Sequence, residues 1–114
     1  MRILNHTQNS ILAHDVNIAD HFISRMTGLL NRSHFFSGQA LVITRCQQIH
    51  MFFMRFAIDV IFVDPKNCVV GLVENIKPFA MSRIFWQADR AIELPSGTIA
   101  QSQTSLGDTI QFLS

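Results

Sequence analysis

Residues 46–64, CQQIHMFFMRFAIDVIFVD, constrain this chain more than any other stretch. The run is apolar almost throughout, yet it carries Arg55 and Asp59 inside it and Cys46 and His50 near its start. Charged side chains are almost never fully buried without partners. A fold that buries this segment must therefore bring polar groups to it from elsewhere. The β-branched and aromatic content of residues 58–63 predicts a strand. Asp64-Pro65-Lys66-Asn67 follows as a turn, with Pro preset for the second position of a type I turn. Residues 68–73 then return as the second arm of a hairpin.

Other segments read more briefly. Residues 10–18 and 39–44 are expected strands, as are 91–94 and 109–113. Asp20 suits a helix N-cap, and Phe22, Ile23, Met26, Leu29 and Leu30 form one apolar stripe behind it. Residues 74–89 give no clear period, and Pro95-Ser96-Gly97 and Leu106-Gly107-Asp108 read as turns. Many short strands with one helix near residues 20–31 predict a mainly β (α+β) fold, a small compact barrel or sandwich-like domain. At 114 residues the chain is one domain, 1–114, with enough apolar content (48%) for a real core.

Composition narrows the function classes. Net charge is +1, and Lys and Arg are never adjacent, so phosphate neutralisation along a nucleic acid has no support. The most apolar window, residues 51–63, is too short to span a bilayer and holds two charges. The opening residues show no signal-peptide core, and a cytoplasmic location is the expectation. Cys46 and Cys68 alone make no disulfide framework.

Three sets of residues could carry chemistry. Cys46, His50 and Met54 offer soft ligands for Cu(I) or Zn, though nothing completes a tetrahedral set. Cys46 with His50 could act as nucleophile and base of a thiol-dependent hydrolase, or Cys46 could be an inert buried thiol. Asp59 needs a partner, and Arg25 is the first choice ahead of Arg55. Glu93 faces opposite to Ile92 and Leu94, which on a one-sided sheet would mean solvent. The leading reading is a non-catalytic domain that binds a small molecule or peptide through Arg25, His50, Asp59 and Glu93, with no cofactor. Exposed Phe35-Phe36 or Phe85-Trp86 would instead mark an interaction surface.

Several of these pieces occur in one order: Arg25-x-x-Gly28-Leu29-Leu30, Cys46-x-x-Ile49-His50, Met54-Arg55-Phe56-x-Ile58-Asp59-Val60-x-Phe62, Asp64, Val69-Val70, Pro78, Glu93-Leu94-Pro95-x-Gly97 and Gly107-Asp108. The set resembles the domain of unknown function 192, also called uncharacterised protein family 0127, over about residues 12–113. The resemblance implies a compact, mainly β fold with a short helix, found in bacteria and archaea, and no established reaction. It marks Arg25, Cys46, His50, Asp59 and Glu93 as positions for a shared site. The chain departs from the pattern at Arg45 and Ala57, where the family commonly has Pro, and at Met51, where it often has Thr.

Overall fold

Every side chain of the strand Ile58–Val63 is buried, which requires cover on both faces of its sheet. The structure, a computed structural model, describes residues 1–19, 35–52 and 54–114. Its strands are β1 (Arg2–Asn5), β2 (Ser10–Ala13), β3 (Asp15–Ala19), β4 (Gln39–Thr44), β5 (Ile58–Val63), β6 (Val69–Ile76), β7 (Arg90–Pro95) and β8 (Ile110–Leu113), with a short helix α1 (Thr98–Ser102) between the last two. They form a five-stranded sheet, β3-β4-β7-β5-β6, and a three-stranded sheet, β2-β1-β8. Among the described residues, backbone hydrogen bonds around an isolated bridge between Cys68 and Thr109 join the two. The sandwich-like form of the expectation is therefore met, and the closed barrel is not. The helix expected near residues 20–31 lies outside the described residues.

Alternation sorts β4, β5 and β7 into two cores, because successive strand side chains point to opposite faces. Ala40, Val42, Ile61, Val63, Ile92 and Leu94 face the three-stranded sheet, where they meet Ile3, Leu12, Ile99 and Ile110 in an inter-sheet core. Leu41, Ile43, Ile58, Val60, Phe62 and Ala91 face the other way, into a distal core. Among the described residues no third sheet covers that face; two irregular segments do, residues 45–52 with 54–57 and residues 77–88, which contribute Ile49, Met51, Met54, Phe85 and Ala88. Fully burying a side chain of this size stabilises by about 1.5–3 kcal/mol, so both layers are needed for stability.

Two expected features resolve differently. The strand foreseen over residues 10–18 breaks at His14 into β2 and β3, which belong to different sheets. The amides of His14 and Asp15 both donate to the Gly38 carbonyl, at 2.9 and 3.0 Å, which turns the chain there. Gly38 has φ +88°, a left-handed conformation that favours glycine, and a Cβ there would also displace the exposed His14 ring. The hairpin after β5 forms as expected. Asp64 Oδ1 accepts from the amides of Lys66 and Cys68, both at 2.9 Å, and Asn67 takes the left-handed conformation with φ 66°.

Candidate functional site

Asp59 is fully buried in β5, with Leu94 of β7 opposite it. Its side chain faces the inter-sheet core and is met by three backbone amides. Oδ1 accepts from Asn75 at 2.8 Å, and Oδ2 accepts from Gly97 at 3.1 Å and Ile99 at 2.9 Å. Gly97 is the N-cap of α1 and has no side-chain oxygen of its own. Asp59 supplies from the sheet the acceptor that a Ser or Asp cap would otherwise provide. Asn75 sits at a left-handed bulge position, φ 53°, where β6 departs from regular pairing with β5. Among the described residues, the partners of Asp59 are these amides. Arg55 is exposed, and Arg25 lies outside the described residues.

Glu93 is also fully buried, between Leu41 of β4 and Val60 of β5. The solvent-facing reading fails for a specific reason: the side chain does point away from Ile92 and Leu94, but that face holds the distal core. Asp59 and Glu93 consequently occupy opposite faces of one sheet.

Cys46 and His50 belong to the layer over the distal core. The Cys46 amide donates to the Asp89 carbonyl at 3.0 Å, and its half-buried thiol to the Gln48 carbonyl at 3.3 Å. His50 is half-buried, forms an antiparallel bridge with Met81, and has its ring 5.1 Å from that of Phe52. Met54, the third suggested metal ligand, is 3% exposed and packs in the distal core. Among the described residues, no group of three or more His, Cys, Asp or Glu side chains is placed to hold a metal ion. Clefts of about 240 Å³ (beside His14, Gly38 and Thr98) and 320 Å³ (beside His6, Asn67 and Phe112) open elsewhere and take in none of the candidate residues.

A third buried carboxylate, Asp108, reads in the sequence as a turn residue alone. Asp108 Oδ2 accepts from Asn5 Nδ2 at 2.9 Å, from the Ser105 amide at 2.9 Å and from Gln8 Nε2 at 3.2 Å. Burial pushes its pKa up, but the bonds from Asn5, Ser105 and Gln8 outweigh burial and hold the carboxyl below its ordinary value. Asn5 is fully buried and also donates to Thr104 Oγ1 at 3.0 Å. This network ties β1 to the turn before β8. The signal for it in the sequence was Asn5 itself, a polar residue in a segment too short to show a period.

Fold and site together define a small two-sheet α+β domain, with polar groups buried on both sides of its larger sheet. The chain belongs to the family of the domain of unknown function 192 (Uncharacterized ACR), which matches residues 3–112. It is 32% identical to a UPF0127 protein of Thermococcus sibiricus over 96% of this chain and 73% of the relative. A UPF0127 protein of Pyrococcus horikoshii is 37% identical, over 96% of this chain and 97% of the relative. Both relatives are archaeal. The fold is similar to that of a crystallised protein of unknown function from Novosphingobium aromaticivorans, with TM-score 0.83 and 16% identity over 98% of this chain and 84% of that one.

Proposed function

We propose that this chain is a non-catalytic binding domain that takes a small molecule or peptide on the distal-core side of the five-stranded sheet. The supporting observation is how the sheet divides the candidate residues. Asp59 is committed to three amides on the inter-sheet side, whereas Glu93, Cys46 and His50 belong to the distal side. Of these, His50 combines an imidazole with partial exposure, so it is the group that meets a ligand. Arg25 stays in the proposed ligand set on the strength of the motif alone. A thiol-dependent reaction finds less support, since the Cys46 thiol donates to the Gln48 carbonyl, a packing arrangement. The same holds for a metal at Cys46, His50 and Met54, given that Met54 is core.

Amide spectra recorded against a panel of small molecules and peptides test this. A ligand is expected to shift the amides of residues 48–51, and His50→Ala to weaken it by about tenfold, the worth of one lost hydrogen bond. A ligand whose shifts centre on Asn75, Gly97 and Ile99, or that binds His50→Ala equally well, overturns the proposal.

A further inference from the structure

The two segments over the distal core form one continuous surface. Met51 donates to the Ala80 carbonyl, and Phe79, Ser82 and Phe85 donate back to the carbonyls of Met51, Ile49 and Gln47, all at 2.8 Å. Their inward residues fill the distal core. Several of their outward residues are large and apolar, beside exposed Gln47, Gln48 and Gln87: Phe52, Phe79, Met81, Ile84 and Trp86 are 44, 68, 57, 37 and 75% exposed. Apolar groups clustered this way mark a surface that something else covers. The charge on the same segments is one-sided. Residues 45–57 and 77–88 hold Arg45, Arg55, Lys77 and Arg83, four of the nine basic residues of the chain, and none of its eight acidic ones. All four are exposed. The nearest acid in sequence, Asp89, is 3.5 Å from Arg90 and neutralised by it.

We propose that this surface docks on an anionic lipid membrane, with Phe79, Met81, Ile84 and Trp86 entering the interfacial region and the four basic side chains meeting lipid headgroups. The inference goes beyond ligand binding at His50 and Glu93, since it uses the outward side chains. Projecting Trp and Phe flanked by Lys and Arg is the composition that sits at a lipid–water boundary, and anionic headgroups complement the uniform positive charge. A single-stranded nucleic acid fits less well, because Met81 and Ile84 have no aromatic face on which a base could stack. No helix among the described residues is long and apolar enough to cross a membrane, so the attachment is peripheral.

Trp86 is the sole tryptophan and reports directly. With vesicles of phosphatidylglycerol mixed into phosphatidylcholine, its emission is expected to shift to the blue, and the protein to sediment with the vesicles. Lys77→Gln and Arg55→Gln should each weaken this binding about fivefold. Phe79→Asn combined with Met81→Ser should abolish it while leaving the circular dichroism spectrum unchanged, since both side chains are exposed. Asn tolerates the positive φ of residue 79 (68°). His50→Ala should bind vesicles normally, so the ligand proposal and this one fail separately. The proposal is overturned by the absence of a blue shift, by equal binding to pure phosphatidylcholine, by undiminished binding of the folded double variant, or by an equal shift with an acidic peptide or oligonucleotide in place of vesicles.

Discussion

A fully buried carboxylate inside a run of Ile, Val and Phe must be matched by donors, and among the described residues those at Asp59 are backbone amides, from Asn75, Gly97 and Ile99. Removing the acceptor leaves three orphaned N–H groups in two parts of the fold, the β6 bulge and the start of α1. Asp59→Ala is therefore expected to cost about 3–5 kcal/mol, read as a lower urea midpoint. Asp59→Asn keeps one acceptor oxygen and should cost about half as much. A stability loss of under about 1 kcal/mol for the Ala variant would show that Asp59 is not a brace. Asp108 predicts a dependence on pH. Its folded pKa lies below the ordinary value of 3.8, so the fold favours its charged form. That contribution is fully present above about pH 4 and is lost as pH falls through the lowered folded pKa. The melting temperatures of wild type and Asp108→Asn should thus differ most near neutrality and converge in acid. A gap that stays constant with pH would contradict the role given to the Asn5, Gln8 and Ser105 bonds.

At the scale of the element, β6 crosses beneath Phe85 so closely that Gly71 is required there. A Cβ on Gly71 would stand 2.4 Å from two Phe85 ring carbons, and Phe85 is itself stacked on Phe62 at 4.4 Å between ring centroids. Gly71→Ala should cost about 1–3 kcal/mol through overpacking. Phe85→Leu in the Gly71→Ala background should recover part of the loss, a coupling that denaturation of both single variants and the double variant would show. Strictly additive losses would locate the effect elsewhere. The same scale divides what was legible in the chain from what was not. Gln39–Thr44 and Ile58–Val63 were readable to the residue because each is a β-rich run closed by turn chemistry. β1 was missed because Arg2–Asn5 is too short to show a period. α1 was missed because its cap, Asp59, comes from 38 residues earlier in the chain. In Phe35-Phe36 and Phe85-Trp86 one ring of each pair packs on the distal core and the other is exposed. Glu93 shows the limit most clearly: alternation gives the direction of a side chain and says nothing of what covers that face.

Across the whole molecule, the first strand pairs with the last, from Arg2 opposite Leu113 to Asn5 opposite Ile110. The inter-sheet core thus closes only when both ends of the chain are in place. Loop closure over such separations is slow, which places folding in the millisecond-to-second range expected of non-local β topologies. Stability should be graded across the larger sheet. β7 is hydrogen-bonded on both sides, to β4 and β5, and carries Ala91, Ile92, Glu93 and Leu94, all fully buried. Among the described residues β3 is an edge strand joined to β4 alone, with Ile18 53% exposed. Amides held in the middle of a doubly covered sheet exchange only when the whole domain unfolds, whereas edge amides exchange by local opening. Hydrogen exchange should therefore find the amides of residues 91–94 slowest, with a free energy equal to that from urea unfolding, and those of residues 16–18 faster by at least about a hundredfold. Equal protection in β3 and β7 would mean that the sheet opens as one unit and that its two covering layers do not protect its middle strands selectively.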